Sequence, residues 1–367
     1  MMTLLIRADG SAQIGTGHLM RMLALAQAWQ PRGHVHFLSA EITPALAARL
    51  AVEEFAAYPL AAVPGSAEDA AATIASAREH GAAWAVVDGY QFGADYQRRL
   101  KDAGLRVLLL DDYGHAGDYC ADLVLNQNLS ADAALYTRRA PHTRLLLGTR
   151  YALLRREFLA WRDWKREIPA VARKVLVTLG GADPDNVTGK VIEALRGLDV
   201  EAKIVVGGSN PHLESLRSSI SNLPSPVRLA VDAPNMPELM AWADVAVAAA
   251  GSTSWELAFM GLPAVVMVLA ENQVGIAASL EREGLSVNLG AHKGVTIEKI
   301  TSALQSLFAY PPRRRAMSRR GRAMVDGLGG ERVSNRLAEY ETESTTSFSS
   351  SGKQYSVLTP HSNAFKS

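Results

Sequence analysis

Short apolar runs alternate with longer segments of helical periodicity along nearly the whole chain. In the first half the runs "TLLIRA", "HVHFLS", "AWAVVD", "RVLLLD" and "DLVLNQN" read as strands, and the alanine-rich stretches "TPALAARLAVEEFAA" and "AEDAAATIASAREHG" as helices between them. Apolar residues in the runs follow one another instead of alternating, which predicts strands buried on both faces. Strands alternating with helices predict an α/β chain with a doubly wound parallel sheet. A basic, aromatic stretch from 155 to 174, "RREFLAWRDWKREIPAVARK", interrupts the pattern. It then restarts with "KVLVTLGG", "AKIVVGG", "VRLAVD", "ADVAVAAAG" and "PAVVMVLA". The expectation is two Rossmann-like domains, 1–168 and 169–340, joined by a charged helix, with Trp161 and Trp164 as packing or domain-contact residues. Residues 341–367 are rich in Ser and Thr without an apolar period and are expected to be disordered.

Composition narrows the partners. A chain of 367 residues is long enough for two self-sufficient cores, and 48% hydrophobic with 20% charged residues is the balance of a globular protein. A formal net charge of +1 argues against bulk electrostatic binding to nucleic acid or a membrane surface, which leaves small molecules as the expected partners. One cysteine, Cys120, excludes an internal disulfide and a cysteine-based metal cluster, and fits a reducing, cytoplasmic setting. "MMTLLIRADG" meets Arg7 and Asp9 too early for a secretory signal, and "PAVVMVLA" is too short to span a bilayer, so no membrane insertion is expected.

Three strand-to-helix junctions carry the candidate chemistry, because open parallel sheets bind ligands at the carboxyl ends of their strands. In "RADGSAQIGTGHLMR" a strand ends at Asp9, and a loop with Gly15 and Gly17 delivers His18 and Arg21 to one face of a helix. The loop has neither a Walker lysine nor G-x-G-x-x-G, which disfavours an NAD-dependent dehydrogenase. His18 is a candidate general base, or a residue that caps and packs the helix. In "VTLGGADPDN", Gly180 and Gly181 end a strand ahead of Asp183 and Pro184; the turn could meet a diphosphate or serve only as a well-capped helix start. In "GSTSWELAFMGLPAVVMVLAENQ", Ser252 and Thr253 open a helix and Glu256 follows one turn later, suited to a phosphate and a ribose or to a self-contained Thr253–Glu256 capping box. Asn272 and Gln273 add polar groups to that rim. Asp88 and Tyr90 in "VVDGYQF" end a further strand, where they orient a loop or meet substrate. Asp111, Asp112 and His115 make a poor metal set, since adjacent residues of an extended strand point to opposite faces.

These motifs, with "VVDGYQ", "LLLDDY", "NQN" and "LLGTRYALLRREF", resemble in order those of the UDP-2,4-diacetamido-2,4,6-trideoxy-β-L-altropyranose hydrolases of pseudaminic acid biosynthesis. The likeness runs from about residue 3 to 340. That family is similar to the lipid II-forming N-acetylglucosaminyltransferase, which implies the GT-B architecture of two Rossmann-like domains facing across a cleft. It further implies UDP on the second domain against Gly180, Gly181, Ser252 and Thr253, with Glu256 near the ribose. His18 would activate water for attack on the anomeric carbon with inversion, without metal or cofactor, and Tyr90 and Asn128 are carried over as substrate-binding residues beside Asp9, Gly17 and Arg21. A GT-B glycosyltransferase passing the sugar to an acceptor, or a non-catalytic sugar-nucleotide binding protein, would use the same pocket.

Overall fold

A computed structural model of the chain describes residues 2–350 except 12, 13, 209, 222, 224 and 225, with side chains described as far as 340. Seven strands form the first sheet: β1 (Met2–Ala8), β2 (Gly33–Ser39), β3 (Ala56–Pro59), β4 (Ala82–Asp88), β5 (Arg106–Leu110), β6 (Leu123–Asn126) and β7 (Arg144–Leu147). They lie all parallel in the order β3-β2-β1-β4-β5-β6-β7. Six more form the second: β8 (Lys174–Thr178), β9 (Glu201–Val206), β10 (Val227–Val231), β11 (Val245–Ala249), β12 (Ala264–Val268) and β13 (Ser286–Ala291), all parallel in the order β10-β9-β8-β11-β12-β13.

Helices cover both faces of each sheet, which is why the strands are apolar in succession. In β1, Leu4, Ile6 and Ala8 face a core containing Trp29, Phe37 and Trp84, whereas Leu5 faces the other side, with Val87, Phe92 and Leu100. The second sheet repeats this: Ala246 and Ala248 of β11 face one core, Val245 and Val247 the other. The strand order reverses at the β1/β4 junction in one sheet and at β8/β11 in the other. Crossover helices leave to opposite faces there, so a crevice opens at the strand ends. The three junctions singled out in the sequence all sit at these two places.

Two expectations need correction. The stretch from 155 to 174 is not a charged helix: only Arg156–Leu159 is helical, and the chain then runs in turns and extended backbone. Tertiary contacts override helix propensity here. Arg166 donates to the carbonyls of Met240, Ala243 and Met260, at 2.5, 2.5 and 3.0 Å, at the carboxyl ends of helices Met236–Trp242 and Thr253–Phe259. A cation there satisfies orphan carbonyls and complements both dipoles. Trp161 and Trp164, edge to face at 5.4 Å, pack against the second core. The other correction concerns the end of the chain. The helix Gly329–Ser350 extends into the segment expected to be disordered, whose remainder, 351–367, lies outside the described residues. This helix crosses back to the first sheet, where Val333 and Leu337 are fully buried in its core and Tyr340 meets Trp84 edge-on at 5.7 Å.

Candidate functional site

At the β1/β4 junction four strand ends converge. The helix Gly17–Trp29 carries His18 and Arg21 three residues apart, and both reach Asp88, the last residue of β4. Asp88 Oδ1 lies 2.6 Å from His18 Nδ1, and Arg21 donates to both Asp88 oxygens at 2.6 Å. Arg21 also donates to Asp112, beyond β5, at 2.8 Å. Asp112 accepts further bonds from Tyr90 Oη at 2.7 Å and Asn128 Nδ2 at 2.9 Å, and the Asn128 amide is pinned by Asn126 at 3.0 Å. Every polar member of this cluster is thus oriented by another.

The electrostatics follow from burial and pairing. Burial opposes ionisation of Asp88, but the charge and hydrogen bonds of Arg21, with the His18 hydrogen bond, outweigh it and hold the carboxyl well below the usual range. Asp112 is lowered in the same way, against burial, mainly by Arg21. Arg21 is raised despite its own burial by the two carboxylates. Burial and Asp112 push the Tyr90 phenol far up, so it stays a donor. An ionised carboxylate only accepts, so His18 Nδ1 must carry a proton, and Nε2 is the nitrogen left to act as a base. The hydrogen bonds of His18 among the described residues are made at Nδ1, and the side chain keeps 10% of its exposure.

The neighbouring Asp111 turns away from Asp112. It accepts from Tyr119 Oη at 2.7 Å and from the amides of Tyr113 and Gly114 at 2.8 and 2.6 Å, with His115 Nδ1 at 3.0 Å. Among the described residues no group of three or more His, Cys, Asp or Glu stands where it could hold a metal ion. Asp9 is also directed elsewhere: it accepts from Arg7 at 2.7 Å and from the amides of Ala40 and Glu41, tying two loops together beneath the junction.

The second domain meets this cluster across a seam. Asn272 Nδ2 donates to Tyr90 Oη at 2.6 Å. A Cβ added at Gly17 would lie 3.6 Å from Ser252 Oγ, and one at Gly181 would lie 3.1 Å from Thr16. Gly180, at φ +94°, opens on empty space. The turn after it is closed by its own side chains: Asp183 accepts from the amides of Val187 and Thr188 at 2.9 and 2.7 Å, and Asn186 from that of Gly189. Gln273 bends back to the Leu269 amide at 2.9 Å.

At the third junction the capping box does not form. Ser252 occupies the cap position of helix Thr253–Phe259 with no side-chain cap. Glu256 Oε1 instead accepts from Arg155 at 2.8 and 3.2 Å. Arg155 escaped the sequence reading because its partner lies 101 residues away. Asp88 and Asp112 were visible only as strand-end carboxylates, and that position was the one signal of their role.

Two doubly wound domains joined along a seam at their strand carboxyl ends define the GT-B architecture. Residues 176–327 match the model of the glycosyltransferase family 28 C-terminal domain. The chain is 26% identical to the spore coat polysaccharide biosynthesis protein SpsG of Bacillus subtilis over 92% of its own length and 98% of that protein. It is also 26% identical to the UDP-2,4-diacetamido-2,4,6-trideoxy-β-L-altropyranose hydrolase of Campylobacter jejuni, over 78% of this chain and 98% of that one. Among solved structures, MurG of Acinetobacter baumannii superposes with a TM-score of 0.63 at 16% identity, covering 92% of this chain and 99% of its own. The resemblance expected from the motifs is therefore found. Among the described residues no helix is long and apolar enough to cross a membrane.

Proposed function

We propose that this protein hydrolyses a nucleotide sugar, releasing UDP from a UDP-linked 2,4-diacetamido-2,4,6-trideoxy sugar in a route to pseudaminic or a related nonulosonic acid. The observation that carries the reading is the 2.6 Å contact of His18 Nδ1 with an ionised Asp88, which leaves Nε2 bare at the seam between the domains. Nε2 would take a proton from water as the water oxygen bonds to the anomeric carbon from the face opposite UDP. The bond between that carbon and the diphosphate oxygen breaks, and its electron pair leaves with UDP, so the sugar emerges inverted. UDP is a good leaving group and needs little acid help, but its growing charge needs oriented donors. The uncapped start of helix Thr253–Phe259 and the turn at Gly180 and Gly181 would supply backbone N–H groups there, with Glu256 beside the ribose. Arg21, Tyr90, Asn128, Asn272 and Gln273 are assigned to the sugar side of the seam, and Gly17 to close approach of the two domains. The cytoplasm, where nucleotide sugars are made, is the proposed location.

The test is incubation of the purified protein with a panel of UDP- and GDP-linked deoxyamino sugars, following nucleotide release by NMR. The expected result is UDP and an inverted free sugar without added acceptor. His18→Ala should lose this about 10²–10⁴-fold while still binding UDP. Product formed only when an alcohol acceptor is supplied would make the protein a transferase; binding without turnover would make it a sugar-nucleotide binding protein. Unchanged turnover in His18→Ala would remove the imidazole from its role.

A further inference from the structure

Tyr113 is an exposed aromatic on an unusually constrained turn. The residue keeps 49% of its exposure, yet its backbone is fixed by Asp111, which accepts from the Tyr113 and Gly114 amides and is itself held by Tyr119. The ring lies 5.4 Å from that of Tyr90 and 5.9 Å from that of His115, and Tyr90 in turn lies 5.1 Å from His18. Tyr90 is bonded to Asn272 of the second domain, so Tyr113 stands at the seam. Partial burial and the charges of Asp111, Asp112 and, from the second domain, Glu271 raise its phenol. A half-exposed ring on a fixed backbone, separated from His18 by Tyr90, is the arrangement of a preorganised contact surface.

We propose that Tyr113 is a specificity-determining residue whose ring receives the apolar face of the bound sugar, favouring 6-deoxy, 4-acetamido sugars over those that keep the 4- and 6-hydroxyls. This rests on the nucleotide-sugar reading above. An aromatic face gives methyl and C–H groups a contact area, but offers an added hydroxyl no partner for the water it gives up. Discrimination by one apolar contact of this kind reaches about tenfold or more.

The experiment measures binding, so that it stands apart from turnover. In the His18→Ala protein, which should not consume its ligand, dissociation constants are determined by calorimetry for UDP, UDP-N-acetylglucosamine and UDP-2,4-diacetamido-2,4,6-trideoxy-β-L-altropyranose, with and without Tyr113→Ser. The expected result is about tenfold weaker binding of the trideoxy sugar nucleotide, less than twofold change for UDP-N-acetylglucosamine, and none for UDP. Tyr113→Phe should retain the preference, because the ring carries it. Equal losses for both sugars, no loss for either, or selectivity destroyed by Tyr113→Phe would overturn the proposal. Hydrolysis of the same trideoxy compound by the unaltered protein decides the activity separately: absence of UDP release with selective binding intact rejects hydrolysis and keeps Tyr113 as the selector.

Discussion

The two rims of the seam are built from different materials. On the first domain the rim is side chain: Asp88, Arg21, Asp112, Tyr90 and Asn128 fix one another, and each buried charge is paired. On the second, around the Gly180 turn and the start of helix Thr253–Phe259, it is mainly backbone and small hydroxyls, with Asp183 and Asn186 used up in closing their own helix start and Asn272 reaching across to Tyr90. The charge differs too. One guanidinium faces two ionised carboxylates around His18, so a diphosphate would be repelled there, whereas positive charge developing on a sugar ring would be favoured. The helix start opposite, which has no side-chain cap, favours the anion. On the proposed reading, electrostatics would sort the two ends of a nucleotide sugar between the domains.

The largest expected effect breaks the side-chain rim at its centre. Asp88→Asn replaces an obligate acceptor with a group that can donate to His18 Nδ1, which moves the ring proton to Nε2 and removes the base. UDP release should fall about 10³-fold with UDP affinity unchanged, and ¹⁵N NMR of the imidazole should report the other tautomer. An unchanged tautomer, or full activity, would show that the carboxylate does not set the ring.

How much of this was legible beforehand depended on range in sequence. Strand ends at Asp9, Asp88, Gly180 and Gly251 could be read because apolar runs stop there, and the sheets follow from those runs. The edge strands β3, β7 and β13 were not read: "AAYP" is short and largely exposed, "RLLL" is only four residues long, and "SVNLGA" is broken by polar residues. His18 and Arg21 were visible as a pair, but their shared partner lies 70 residues from His18. The Thr253–Glu256 pattern satisfied a local rule that a distant arginine overrode. Composition likewise suggested a helix where Arg166 needed extended chain to reach three carbonyls. Local chemistry was readable, and pairings set by topology were not.

The next effects concern stability on either side of the seam. Arg155, 9% exposed, pairs with Glu256 and Glu157, and its charge is held against burial by both. Arg155→Met strands Glu256, while Glu157 keeps Arg49, and should cost about 3 kcal/mol in urea unfolding, with Glu256→Gln added in the same chain recovering part of it. Full additivity of the two changes would show that the pair is not coupled. On the first domain, Asp111 opposes its burial through His115, Tyr119 and backbone donors, which lower its pKa from 3.8 to about 2. A carboxyl depressed on folding stabilises above its unfolded pKa and loses that contribution as pH falls through the folded one. The protein should thus lose about 2 kcal/mol between about pH 4 and pH 2 from this group. Asp111→Asn should lack that component of the acid profile; an identical profile would place the acid sensitivity elsewhere.

The smallest effect tests the contrast most directly, because it compares one glycine from each rim. Gly180 sits at φ +94°, a conformation in which a side chain is strained, although nothing within 4 Å would obstruct a Cβ. Gly180→Ala should therefore disturb only the backbone path of the turn, at about 1 kcal/mol. If the turn's amides hold the diphosphate, UDP affinity should fall about fivefold, the equivalent of that energy. Gly17 begins a helix, and a Cβ there would make an ordinary contact 3.6 Å from Ser252 Oγ. Alanine is well suited to a helix, so Gly17→Ala should leave UDP affinity within about twofold. The two variants carry the same added methyl group and differ only in which rim bears it. Calorimetric titration with UDP separates them: a larger loss at Gly17 than at Gly180 would mean that the first domain grips the nucleotide, and the division of labour between charged side chains and backbone donors would have to be redrawn.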